Sequence, residues 1–294
     1  MSDAAMLAEL LPTAEHLLDR HLGIAKEWFP HDLVQWRRPP EMESASPLPD
    51  GVASALFVNV LTEDNLPFYF SSIDGLFGRD GAWGFWTRRW TAEEGRHSIV
   101  LRDYLIMSGH IDPVNLERAR MAQVTGGVSP QVATIPDAFA YLALQELATR
   151  IAHHNTGKAL PDAEGHAVMK RVAADENLHY LFYRDLVSAA LEIDPSGMME
   201  AINRQVLTFE MPGTGIPDFA QHAKAIARAR IYDLGVHYDS ILRPVVLGHW
   251  DVTGRQGLTP SAEAARDQLL QFIARLGRAS ARFKSEPRVA LDNR

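Results

Sequence analysis

Apolar residues recur at helical spacing along most of this chain, and no stretch reads as a strand of any length. Residues 3–27 place Leu7, Leu10, Leu11, Leu17, Leu18 and Leu22 on one broad face, and Trp28-Phe-Pro-His-Asp breaks that helix. Residues 36–50, with Pro39, Pro40, Pro47 and Pro49, read as an irregular connector. Helical periodicity returns over 51–77, with a kink or break expected at Pro67. A turn at Gly78 to Gly81 leads to a helix over 82–109, ended by Gly109. Residues 110–135 hold a short helix and the Gly126-Gly127 turn, and 136–160 and 162–191 are two further long helices. After a turn at Asp194-Pro-Ser-Gly, helices are expected over 196–210, 218–248 with a kink at Pro244, and 260–283. Between the first two of these lies the loop Met211-Pro-Gly-Thr-Gly-Ile-Pro. The polar tail at about 284–294 is expected to lack structure. No low-complexity linker divides the chain, so the pattern predicts one all-α domain with its core at about 50–250.

The polar positions inside these helices carry the chemistry. Glu94-Gly-Arg-His97 and Glu176-Asn-Leu-His179 are two copies of Glu-x-x-His. On a helix, positions i and i+3 share a face, so each copy offers a carboxylate and an imidazole to one point. Glu63 precedes Glu94 by 31 residues, Glu146 precedes Glu176 by 30, and both pairs of Glu-x-x-His residues are 82 apart. Two Glu-x-x-His helices and a Glu from each of two others form the dinuclear carboxylate site of ferritin-like four-helix bundles. One such copy is common on a solvated helix; two copies with two glutamates in phase are not. Four carboxylates balance two ferrous ions, and neutral imidazole suits iron as well. Thr149 shares the face of Glu146, where its hydroxyl either bonds its own helix or faces the metals. His153 and His154 lie about two turns beyond Glu146 and read as outer, structural groups. An acid precedes each copy, Glu93 and Asp175. A metal-bound His usually gives its second N–H to a carboxylate, so in a two-fold site Glu93 would orient His179, and Asp175 would orient His97. Of Trp83, Trp86 and Trp90, at least two are expected in the core; Trp86, Trp90, Leu142 and Phe182 either line a substrate channel or pack the core.

Composition narrows the partners. The 294 residues are 46% hydrophobic, ample for a core, and a net charge of −8 argues against nucleic acid. Without cysteine there is no disulfide, thiolate metal site or thiol nucleophile. No signal peptide or membrane span is read, which is compatible with a cytoplasmic protein, so an apolar substrate is expected to arrive on a soluble carrier.

Several segments together resemble the soluble acyl-carrier-protein desaturases, which include the stearoyl-carrier desaturases of plants and actinobacterial relatives. They are Leu61-Thr-Glu-Asp-Asn-Leu-Pro67, Trp86-Thr-Arg-Arg-Trp-Thr-Ala-Glu-Glu-Gly-Arg-His97, Gln145-Glu-Leu-Ala-Thr149 with His153 and Asn155-Thr156, and Ala173-Ala-Asp-Glu-Asn-Leu-His179. The likeness runs from about Trp28 to about Leu276 and extends to Met211-Pro212 and Gly248-His-Trp250. It implies a ferritin-like homodimer with two Fe(2+) ions held by Glu63, Glu94, His97, Glu146, Glu176 and His179. It implies O2 and two electrons from ferredoxin, used to remove two hydrogens from an acyl chain on acyl carrier protein. It places Thr149 where the family has a threonine linked to oxygen activation, and Asp175 and Trp28 on an electron route. Two departures stand out. The Lys-Arg of plant members, which help hold the acidic carrier, is replaced by Asn177-Leu178, and Gly213-Thr-Gly replaces a His-containing loop. Arg88, Arg89, Arg102 and Arg184, or Arg275, Arg278, Arg282 and Lys284, are candidates for a substitute patch. The rival readings are a di-iron oxygenase, a non-catalytic carrier-binding homologue and an iron-storage protein.

Overall fold

The computed structural model describes residues 1–36, 47–127 and 132–285. Pro39 and Pro40 of the expected connector, and the tail from residue 286, lie outside the described residues. All regular structure among the described residues is helical. Four long helices form the centre: α4 (Asp50–Glu63), α6 (Gly81–Met107), α8 (Ile135–Ala159) and α9 (Ala163–Ile193). They pack in a ring, α4 on α6, α6 on α9, α9 on α8 and α8 on α4, which is the ferritin-like bundle. Around it lie α1 (Asp3–Glu9), α2 (Leu11–Ile24), α3 (Pro30–Leu33), α5 (Leu66–Phe77), α7 (Pro113–Gly126), α10 (Pro195–Leu207), α11 (Phe219–Arg228), α12 (Leu234–His237) and α13 (Pro260–Ser285).

The helix starts follow from local chemistry. Thr134, Asp162 and Asp194 each accept a hydrogen bond from the N–H three residues on, capping α8, α9 and α10. The expected turn at 194–197 is Asp194 alone, which caps α10 at its start on Pro195. Arg204 of α10 then grips Asp137 of α8 with two hydrogen bonds of 3.0 Å.

Prolines explain where long expected helices divide. The expected helix 3–27 is two helices, because Pro12 starts α2 at its second residue. The expected helix 51–77 ends at Glu63. Pro67 has no N–H to give the Glu63 carbonyl, so the chain restarts at Leu66 with Pro67 in its first turn. The expected helix 218–248 is α11, a turn through Arg230 at φ 55, α12, and a π-helical segment Tyr238–His249 that absorbs Pro244.

The pair α8 and α9 shares the most extensive contact in the fold, and Gly157 of α8 allows a close approach to α9. A Cβ on Gly157 would lie 2.7 Å from Met169 Cβ of α9. Gly157→Ala is therefore expected to cost about 1–3 kcal/mol as the helices are forced apart. Thermal or denaturant unfolding checks it, and an unchanged midpoint would contradict this account of the packing.

Candidate metal centre

Each central helix sends acidic groups to the same interior point. Glu63 ends α4, Glu94 and His97 share a face of α6, Glu146 comes from the middle of α8, and Glu176 and His179 share a face of α9. All six side chains are buried, the two histidines completely. Their ligating atoms form two groups, Glu63–Glu94–His97–Glu176 and Glu94–Glu146–Glu176–His179, each within 4.8 Å. Glu94 and Glu176 belong to both. That is the topology of two metal positions with two shared carboxylates and one imidazole each. Asp64, next to Glu63, turns the other way, to Arg120 of α7.

The donor atoms fit cations. His97 Nδ1 is 3.3 Å from both Glu94 and Glu176, and His179 Nδ1 is 2.8 Å from Glu94. Yet His97 Nδ1, His179 Nδ1, Glu94 Oε1 and Glu146 Oε2 are all buried without a hydrogen bond. Leaving that many buried polar atoms unsatisfied is costly, and four carboxylates in contact repel. Two divalent ions of borderline hardness would satisfy both demands with this oxygen and imidazole set.

Outside this cluster the acids cross over. Glu93 Oε2 lies 3.0 Å from His179 Nε2, and Asp175 Oδ2 lies 3.6 Å from His97 Nε2. Trp28 donates to Asp175 at 2.7 Å, and its ring stacks on His97 with centroids 6.4 Å apart. Thr149 donates to the Gln145 carbonyl at 3.0 Å, yet its hydroxyl is also 3.4 Å from Glu176 Oε2, so it has a helix bond and a place at the cluster. His153 is buried, with Nε2 3.0 Å from Glu63 Oε1, whereas His154 is exposed. Trp90 donates to Glu146 Oε1 at 3.1 Å. Trp86 and Phe182 are core, stacked at 3.6 Å, and are not among the residues lining the two cavities that reach Glu63 and Thr149.

Electrostatics follows from this packing. Burial alone would depress both imidazoles, but the carboxylates, led by Glu94 at His97 and Glu146 at His179, hold both pKa values well above the ordinary value. Burial would raise Asp175, but the nearby His97 and the hydrogen bond from Trp28 bring it down to about 2. Glu93 is likewise held well below the usual range by His179 and His21 against its burial. Burial and the charge of Glu176 push Glu146 well up.

Two narrow cavities of about 50 and 90 Å³ share Thr62, Glu63, Thr149 and Pro212 in their walls. The first also reaches Glu94 and Glu176, and its remaining wall is largely apolar: Ile73, Leu76, Trp90, Ala138 and Leu142. Gly213, at φ 114, lets the loop after Pro212 close over Thr62.

The family model for fatty acid desaturases matches residues 2–293. The chain belongs to that family. It is accordingly an oxidoreductase, and its buried Glu and His groups could hold metal ions. It is 38% identical to DesA1 of Mycobacterium tuberculosis H37Rv, assigned as an acyl-[acyl-carrier-protein] desaturase, over 99% of this chain and 91% of that protein. It is 32% identical to the chloroplastic stearoyl-[acyl-carrier-protein] 9-desaturase of Linum usitatissimum, over 90% of this chain and 74% of that one. The crystal structure of M. tuberculosis H37Rv DesA2, also assigned as an acyl-carrier desaturase, shares the fold. Its TM-score is 0.72 at 24% identity, over 89% of this chain and 99% of that one.

Sequence reasoning missed His21. It lies on α2, buried, with Nε2 2.9 Å from Glu93 Oε2. The only signal was its position four residues after Leu17 on the apolar face of an N-terminal helix outside the repeat.

In the metal-free desaturase the two imidazoles hold protons that a metal must displace. Divalent metal uptake is therefore expected to release protons and to weaken as pH falls. Calorimetric titration with Mn(II) in buffers of differing ionisation enthalpy checks this, and proton-neutral uptake would contradict it.

Proposed function

We propose that the chain is an acyl-[acyl-carrier-protein] desaturase acting as a single ferritin-like domain. It converts –CH2–CH2– in a carrier-bound acyl chain, with O2, two electrons and two protons, into –CH=CH– and two waters. The observation that carries this reading is the apolar cavity walled on one side by Glu63, Glu94 and Glu176. A methylene chain there would lie alongside the centre, against Ile73, Leu76, Ala138 and Leu142.

Glu63, Glu94, His97, Glu146, Glu176 and His179 would hold two iron ions, with Glu94 and Glu176 shared. The irons, when bound, supply the activation of O2 that breaking an unactivated C–H bond requires. The chain's own groups do the rest. Glu93 and Asp175 hold the outer imidazole nitrogens, Trp90 fixes Glu146, and Ile73, Leu76 and Leu142 align the substrate and exclude water. The Thr149 hydroxyl, at the junction of both cavities, is placed to hand a proton towards Glu176. A ferredoxin-type donor supplies the electrons, with Trp28 and Asp175 as their route, in a cytoplasmic homodimer.

The carrier-docking reading is supported by a different set of residues from those expected. Arg89 is held by Glu93 and Arg184 by Asp185. Arg150, His154 and Lys170 instead line one surface depression with Asn177. Burial, and then the charges of Lys158 and Arg150, lower the pKa of His154. This depression would offer an acidic carrier the charge that Asn177 does not.

Two results test the proposal. With ferrous iron, ferredoxin, its reductase and O2, the acyl product is expected to lose two hydrogens by mass; gain of one oxygen would instead establish an oxygenase. Lys170→Glu is expected to raise KM for the acyl carrier substrate by about five- to tenfold at low salt with kcat kept. Equal KM values in steady-state kinetics would remove the carrier from that depression.

A further inference from the structure

We infer that His21 is a positioning residue for the His179 half of the centre, the counterpart there of Trp28 in the His97 half; the inference rests on the metal-centre reading above. The two halves match group by group. In one, Asp175 stands between His97 and Trp28, with Arg171, four residues earlier, on its other oxygen. In the other, Glu93 stands between His179 and His21, with Arg89, four residues earlier, on Oε1 at 2.5 Å. Trp28 stacks on His97 with its plane tilted 13°, and His21 stacks on His179 with centroids 5.9 Å apart and a tilt of 24°. Both outer rings come from the N-terminal segment, which is not part of the repeat, so the correspondence is not a by-product of the repeated helix pair.

Packing alone does not account for an imidazole at this position. His21 is 4% exposed, its ring meets the edge of Trp86 at 5.0 Å, and an aliphatic side chain would fill the space without burying polar atoms. Its Nε2 and that of His179 converge on the same oxygen, Glu93 Oε2, at 2.9 and 3.0 Å. An ionised carboxylate only accepts, so both nitrogens donate. His21 Nδ1, buried without a hydrogen bond, is then a bare lone pair, which costs less than a buried N–H left unmatched. With a metal bound, the same assignment leaves the Nδ1 lone pair of His179, on the side of Glu94 and Glu146, free to serve as a ligand. Held by Arg89 on one oxygen and His21 on the other, Glu93 has no freedom to turn away. It therefore fixes both the tautomer and the plane of His179. His21 acts on the centre through Glu93, and α2 is thereby tied to it.

The test uses the full-length metal-free chain titrated with Co(II) alone, read by the visible bands and by bound-metal stoichiometry, with the thermal midpoint measured for each variant. The wild type is expected to take up two ions. His21→Leu, which keeps the packing but removes the donor, is expected to weaken one uptake step by about 10- to 100-fold and to leave the other within about twofold. His21→Gln, whose amide N–H reaches about as far as Nε2, is expected to restore most of that affinity. The inference is overturned if His21→Leu binds both ions like the wild type, if it weakens both steps equally, or if His21→Gln fails to recover the step in a chain with a wild-type midpoint. A wild type that takes up fewer than two ions overturns the metal-centre reading itself, a separate outcome.

Discussion

Four carboxylates meeting in the dry centre of a helical bundle are the constraint on which the rest of this structure depends. Each would be costly to bury alone, and together they repel. Glu63, Glu94, Glu146 and Glu176 persist there because two imidazoles, and on this account two divalent ions, share the space. Much of the surrounding architecture can be read as support for that arrangement. The ring of α4, α6, α9 and α8 brings the groups together from four directions. Pro67 ends α4 at Glu63, so that carboxylate sits at a helix terminus, and Asp64 is drawn off by Arg120.

The charge balance extends outward in layers. Glu93 and Asp175 are buried acids whose partners are cations or ring N–H donors: Arg89 and His21 for one, Arg171, Arg96 and Trp28 for the other. Buried charges that are paired and hydrogen-bonded persist where isolated ones would not. The two halves keep the same plan, yet one ends in an indole and the other in an imidazole. That asymmetry enters from α2 and the segment after it, so the N-terminal helices serve the centre as well as the core.

The site was legible in the sequence to an unusual degree, for a physical reason. Glu-x-x-His on a helix converts spacing into geometry, so the six cluster residues and the crossed acids could be named from numbers alone. The all-helical class followed from periodicity for the same reason. What the sequence did not give away depends on long-range packing. Nothing local separates Trp90, which donates to Glu146, from Trp86, which is core. His21 reaches Glu93 across 72 positions, and Arg150 and Lys170 line one depression only because α8 packs along α9. The break at Pro67 and the distortion at Pro244 are expected from the prolines themselves, whereas the division at Pro12 and the turn through Arg230 are not.

The most direct measurement is anomalous diffraction at the iron edge from crystals of the iron-loaded protein. The account predicts two iron peaks per chain. One would be ringed by Glu63, Glu94, His97 and Glu176, the other by Glu94, Glu146, Glu176 and His179. A single peak, or iron bound anywhere else with these six side chains left uncoordinated, would contradict it.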